Sequence, residues 1–114
     1  MTDFGLSQII SKEQKLYRQC GSPGYVSPEI LTGDGCDEKT DIFSLGTIFY
    51  NLLTGRALFP GDDCEEVLHL NKHCDFSSQK KYLNKIPYVA LNLLLSLIEA
   101  NPRRRVSARE ALKH

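Results

Sequence analysis

The stretch T-D-I-F-S-L-G-T-I-F-Y-N-L-L-T-G, residues 40–55, decides how the rest of the chain is read. Eight of residues 40–53 are large apolar or aromatic: Ile42, Phe43, Leu45, Ile48, Phe49, Tyr50, Leu52 and Leu53. Wound at a helical period they cover nearly the whole circumference. Asp41, Ser44, Thr47 and Asn51, spaced by three, three and four, leave one narrow polar stripe. A helix apolar almost all round belongs inside a protein, with neighbours on most sides. Gly55 is a natural C-terminal cap. Too few helices follow to surround it, so these residues in isolation are expected to expose a contiguous apolar patch.

Downstream, Phe59-Pro60-Gly61 forms a turn, and Asp62 and Asp63 are placed to cap an amphipathic helix over about residues 63–73. Polar residues 75–85 read as a loop. Ile86 to Ala100 is a leucine-rich helix, stopped by Asn101-Pro102 because proline disfavours helix in the residue before it. The last element opens with a capping box of Ser107 and Glu110. Upstream, residues 6–26 carry neither helical nor strand periodicity and read as an extended loop. It runs into C-G-S-P-G-Y-V-S-P-E-I-L, residues 20–31, where Ser27, Pro28 and Glu29 suit the N-cap, first position and dipole-compatible acid of a short helix. Gly33 and Gly35 end it. The expected body is mainly α, fed by an irregular segment.

Composition narrows the function classes. The 114 residues make one domain or part of one, with 41% hydrophobic and 25% charged residues, as in ordinary globular proteins. Fourteen basic residues balance fourteen acidic ones, so neither nucleic acid nor an anionic membrane is expected as a partner. No apolar run approaches the ~18 residues of a membrane span. The start lacks the basic and apolar regions of a secretory signal. A cytoplasmic location is therefore expected, with Cys20, Cys36, Cys64 and Cys74 as free thiols. Cys64, His69, His73 and Cys74 lie close in sequence, but the paired-cysteine knuckle favoured by structural zinc is missing, and a solvated helix face is the preferred reading.

No glycine-rich phosphate loop, nucleophile elbow or His-Glu-x-x-His helix occurs inside the chain. Several short motifs do stand in a definite order. Asp3-Phe4-Gly5 comes first, then Gly21-Ser22-Pro23-Gly24-Tyr25-Val26-Ser27-Pro28-Glu29. Asp41-x-x-Ser44-x-Gly46, Leu53-Thr54-Gly55-Arg56, Phe59-x-Gly61 and Asn101-Pro102-x-x-Arg105 follow. This order resembles the C-terminal lobe of the eukaryotic protein-kinase domain, from its Asp-Phe-Gly turn to its last helix, over essentially the whole chain. The wording Cys20-Gly-Ser-Pro-Gly-Tyr-Val26 is most similar to the serine/threonine branch, particularly the calcium/calmodulin-dependent-like kinases.

The resemblance implies a helical C-lobe fragment of the α+β kinase fold, with residues 1–29 as activation segment and 30–114 as helical lobe. It implies that Asp3 is the carboxylate that chelates the Mg²⁺ bridging ATP phosphates, a hard ion wanting oxygen ligands. Phe4 and Gly5 would be the aromatic that reports the active state and the glycine that lets the turn change. Gly21, Ser22, Pro23, Gly24 and Tyr25 would form the loop receiving a protein substrate, with the Ser22 hydroxyl standing for the more usual threonine. Arg18 occupies the position where many kinases carry an activating phospho-threonine, so the usual charge switch is not expected there. Asn51 follows Tyr50 where many basophilic relatives carry an acid. Glu29 and Arg105 would form a buried salt bridge, and Asp41 would bond the backbone of the catalytic loop. Asn101 replaces the commoner aspartate at its position.

The glycine-rich loop, the phosphate-binding lysine and the His-Arg-Asp loop precede Asp-Phe-Gly in the family, and here only Met1 and Thr2 do. Two readings follow. The preferred one is a piece of a serine/threonine kinase whose parent uses ATP and Mg²⁺ and needs the N-lobe and catalytic loop as partners. In it the isolated chain is inactive and binds neither. The alternative is a non-catalytic, kinase-like binding module.

Overall fold

In the computed structural model residues 5, 7, 9, 21–35 and 37–114 are described, and their regular structure is helical, without a strand among them. The helices are α1 (Pro28–Thr32), α2 (Glu38–Thr54), α3 (Cys64–Lys72), α4 (Lys80–Leu83), α5 (Tyr88–Leu97) and α6 (Ala108–Ala111). A single 3-10 turn, Ser77–Gln79, leads into α4. No helix among the described residues is long and apolar enough to cross a membrane.

α2 is the axis of the fold. Asp37 caps it by accepting the amide of Lys39, and Gly55 closes it in the left-handed region with its N–H on Asn51 O at 2.7 Å. The core gathers on one face of this helix. Phe43 and Tyr50 are fully buried with Leu58, Phe59, Leu83, Ile86, Leu94 and Ile98. The rings of Phe43 and Phe59 stack with centroids 6.3 Å apart. Burying each such side chain stabilises the fold by about 1.5–3 kcal/mol before ordering costs. Gly46 lets α5 approach: a Cβ there would stand 2.6 Å from Ile98 Cγ2 and 2.9 Å from Leu97 Cβ.

The apolar circumference is not covered all round. Leu45, Ile48 and Leu52, on the face opposite Phe43 and Tyr50, are exposed. The middle of the polar stripe, by contrast, faces protein, while Asp41 and Asn51 at its ends are exposed: Thr47 is buried and donates to Ser44 O, and the Ser44 hydroxyl donates to Tyr25 O at 2.8 Å. Ser44 therefore serves the irregular segment, and part of the apolar surface of α2 is left over. That leftover is the expected patch.

Three local expectations need correction. Residues 75–85 contain the 3-10 turn and α4, because Leu83 and Ile86 reach the core and Gln79 holds Tyr50. α5 stops at Leu97, well before Asn101-Pro102. Ser96 O, which a continued helix would give to the Ala100 amide, instead accepts the Val106 amide at 3.3 Å, and Glu99 O and Ala100 O accept from Arg105. Ser27 stands at the N-cap of α1, but its buried hydroxyl caps no amide of the helix. Ser27's own carbonyl takes the amide of Ile30 that a capping side chain would have taken. The capping box at α6 is complete in both directions.

Candidate functional site

The segment before α1 is a built structure. Tyr25 N–H donates to Ser22 O at 3.1 Å, closing a turn over Ser22, Pro23, Gly24 and Tyr25. Gly21 has φ +133°, and a Cβ on it would meet Val26 Cγ2 at 2.7 Å, so only glycine fits there. Three side chains hold the turn from outside. Asn71 on α3, fully buried, accepts the Gly24 amide at 3.1 Å and donates to Val26 O at 2.7 Å. Ser44 on α2 adds its bond to Tyr25 O. Pro23, Gly24, Tyr25, Thr47, Asn51 and Phe59 then share the walls of a cleft of about 340 Å³, which no Asp or Glu lines. The Ser22 side chain is exposed.

Below this loop lies the strongest electrostatic feature. Arg105 Nη1 meets Glu29 Oε1 at 2.7 Å and Nη2 meets Oε2 at 2.9 Å, a two-pronged pair between residues 76 positions apart. The Arg105 side chain is 0% exposed and that of Glu29 5%. Its remaining donors go to Lys39 O, Glu99 O and Ala100 O, at 2.7, 2.8 and 3.2 Å. The guanidinium carbon is 4.9 Å from the Phe43 ring centroid. Lys39 Nζ donates to Arg105 O, and Thr40 Oγ1 to Glu29 Oε1. Burial pushes the Glu29 carboxyl upward, but the hydrogen bonds and charge of Arg105 outweigh it and leave the group below its ordinary value. One side chain thus joins the start of α1, the start of α2 and the strand of chain after α5.

The other candidates fall as follows. Gly5 is exposed in a turn. Asp3, Phe4, Ser11, Tyr17, Arg18, Cys20 and Cys36 lie outside the described residues. Asp41 is exposed in the first turn of α2, where its charge suits the helix N-terminus. The structure brings Pro23, Gly24 and Tyr25 to one wall of the cleft, leaves Gly21 and Ser22 outside its lining, and brings Glu29 to Arg105. It does not bring Asp41 to either. Asn71 was missed, because in sequence it is one polar residue on an amphipathic helix. Its sole signal is that it falls one turn after Val67, on the inward face. Of the metal question, His73 Nδ1 is bonded to His69 O and the two rings lie 4.4 Å apart, ending α3. No group of three His, Cys, Asp or Glu among the described residues is placed to hold a metal.

A helical body with a glycine-pinned loop, clamped by an arginine from the far end of the chain, defines the class to which comparison with known proteins also leads. The profile of the protein kinase domain matches residues 1–114. The chain is 40% identical over 98% of its length to "Probable serine/threonine-protein kinase 2" of Plasmodium falciparum, covering 22% of that protein. It is 33% identical over its whole length to Myosin light chain kinase A of Dictyostelium discoideum and to Serine/threonine-protein kinase 17A of Oryctolagus cuniculus, covering 39% and 29% of them. The chain belongs to the protein kinase family, and the relatives it matches are of the serine/threonine type. It spans well under half the length of each.

Proposed function

We propose that these 114 residues are the part of a serine/threonine protein kinase that runs from the Asp-Phe-Gly turn to the last helix of the C-lobe, calcium/calmodulin-dependent-like in type. In the cytoplasm the parent transfers the γ-phosphoryl group of ATP to a serine or threonine hydroxyl of a protein. Residues 1–29 are its activation segment and 30–114 its helical lobe. The carrying observation is the buried Glu29–Arg105 pair. Two buried charges are costly to strand singly, and this pair makes the loop that precedes α1 part of the helical body. A loop that must hold a substrate backbone in one place needs that anchorage.

In this reading Gly21, Ser22, Pro23, Gly24 and Tyr25 position the acceptor segment. Asn71 and Ser44 set the loop's height over the cleft, and the exposed Ser22 hydroxyl is free to orient the catalytic acid and acceptor. Asp41 bonds the catalytic-loop backbone from the start of α2. Asp3, with Gly5 beside it, supplies one hard oxygen ligand, the donor Mg²⁺ requires, though an octahedral ion needs about six. Asp3 would help hold Mg²⁺, which when bound with ATP would supply neutralisation of developing phosphate charge; the residues of this chain fix the acceptor side. The exposed stripe Leu45, Ile48 and Leu52 fits a helical lobe that packs against further kinase elements.

In this reading the 114 residues do not transfer phosphate on their own. The test is a peptide phosphorylation assay on the 114-residue chain and on the longer product of its transcript, with an in-frame His-Arg-Asp sought upstream of Met1. Activity is expected from the longer product alone, lost on Asp3→Ala. Mg²⁺-ATP-dependent phosphorylation by the 114-residue chain that disappears on Asp3→Ala would overturn the proposal.

A further inference from the structure

Three cations gather at one side of the molecule with no carboxylate to meet them. Arg56 follows the cap of α2, and its guanidinium lies over the Tyr82 ring, 4.2 Å from the centroid. Lys81 Nζ stands 5.0 Å from the same centroid. Two clefts of about 440 and 310 Å³ adjoin along this stack, and Arg56 and Tyr82 line both. Lys81 borders the larger and Lys85 the smaller; neither is lined by an Asp or Glu. The described ion pairs are Arg105 with Glu29 and Arg104 with Glu99, so Arg56, Lys81 and Lys85 have none among the described residues. In a chain of zero net charge this is a local concentration, not a consequence of a basic composition.

The stack also prepares the site. A guanidinium lying over a ring keeps its edge N–H donors available, in the fork geometry that matches a carboxylate. Both walls are held before any ligand arrives. Arg56 N–H donates to Thr54 Oγ1 at 3.2 Å, and Thr54 Oγ1 donates to Tyr50 O at 2.8 Å. Tyr50 OH in turn donates to Gln79 Oε1 at 3.0 Å, tying the 3-10 turn before Lys81 and Tyr82 to α2. Walls fixed in advance lower the ordering cost of binding. The C-terminal dipole of α2 accounts for one cation in this place. It does not account for a second and a third. Between the charges the smaller cleft offers Leu53, Ile86 and Pro87 beside Thr54, and the larger offers Ala57 and Pro60 beside Ser78 and Gln79.

We propose that the two clefts form one docking site for an acidic peptide segment of a partner protein. One carboxylate pairs in the plane of the Arg56 guanidinium, further carboxylates lie by Lys81 and Lys85, and apolar side chains between them rest on Tyr82, Ile86 and Pro87. A phosphate group alone would use the charges but not the apolar lining, and so would a nucleic-acid backbone.

The test is fluorescence anisotropy of the 114-residue chain with a labelled peptide of about twelve residues alternating Glu and Leu, in roughly 50 mM salt. Saturable binding is expected, about ten-fold weaker for Arg56→Gln, equivalent to ~1.4 kcal/mol. Lys81→Gln and Lys85→Gln each weaken it a few-fold, and Arg103→Gln, an exposed cation outside both clefts, leaves it unchanged. All four positions are exposed, and far-UV circular dichroism checks that each variant folds. Should Arg56→Gln misfold, the two lysine variants carry the same test. Absence of saturable binding, or an Arg103→Gln effect equal to those of the cleft variants, overturns the proposal. So does displacement of the peptide by equimolar inorganic phosphate, or tighter, Arg56-dependent binding of single-stranded RNA.

Discussion

Replacing Arg105 by alanine removes more than one ion pair. This guanidinium donates five hydrogen bonds, two to the Glu29 carboxylate and three to the carbonyls of Lys39, Glu99 and Ala100. Breaking a buried pair from one side costs about 3–5 kcal/mol, since the remaining charge stays buried. The stranded carbonyls add to this, less whatever water entering the vacated space restores. A chain of this length has roughly 6–17 kcal/mol of stability in all, at ~0.05–0.15 kcal/mol per residue. Arg105→Ala is thus expected to remove a quarter or more of it. In urea, with a slope of ~1–1.5 kcal/mol per molar, the midpoint should fall by about 3 M. Far-UV circular dichroism is the assay, because the chain has no tryptophan and its regular structure is helical. A double-mutant cycle with Glu29→Ala isolates the pair, and the double variant should be less destabilised than the sum of the singles by about 2–3 kcal/mol. Arg105→Lys should fall between wild type and Arg105→Ala, since an ammonium keeps the charge but not the fork. A loss under ~1 kcal/mol for Arg105→Ala, or strict additivity in the cycle, would refute the reasoning.

Three further outcomes follow from the same geometry. Glu29 titrates below its ordinary value of 4.5 when folded, so its stabilisation is full above about pH 5 and is lost as pH falls through the folded value. Urea midpoints measured downward from pH 5 should therefore decline, and more steeply in wild type than in Glu29→Gln. Asn71→Ala should cost about 2–3 kcal/mol for two lost bonds to the loop; faster hydrogen exchange at the Gly24 amide, with the α2 amides unchanged, is the check. Gly46→Ala should gain up to ~1 kcal/mol of helix propensity but lose about 1–3 from the collision with Ile98 and Leu97. A thermal melt showing net stabilisation would mean that α5 can move aside.

Much of the helical layout was legible because it is written locally. The period of residues 40–55, Gly55, the Asp63 cap and the Ser107–Glu110 box each act within a turn or two of chain, and the helices stand close to where those signals place them. The loop pattern around Gly21–Tyr25 was legible for a different reason: its glycines and prolines permit few backbone paths. The short elements of residues 75–85 were not legible, since Gln79, Leu83 and Ile86 are drawn inward by Tyr50 and the core and not by any local period. The early end of α5 escaped likewise, because Val106 and Arg105, beyond the helix, supply the donors.

By itself, then, the sequence determined the mainly helical class and the family motifs in their order, and the resemblance those motifs carry implied the pairing of Glu29 with Arg105. Those depend on local conformational preference and on residue chemistry, which a linear string carries. Tertiary structure alone decided which side of α2 faces protein. Ser44 and Thr47 turned inward, Ser44 to hold the Tyr25 backbone, and Leu45, Ile48 and Leu52 were left exposed. That choice, like the use of Asn71 as the loop's clamp and the meeting of Arg56 with Tyr82, joins residues far apart in the chain. Periodicity shows that a helix has faces. Only packing free energy, summed over every neighbour at once, decides what each face meets.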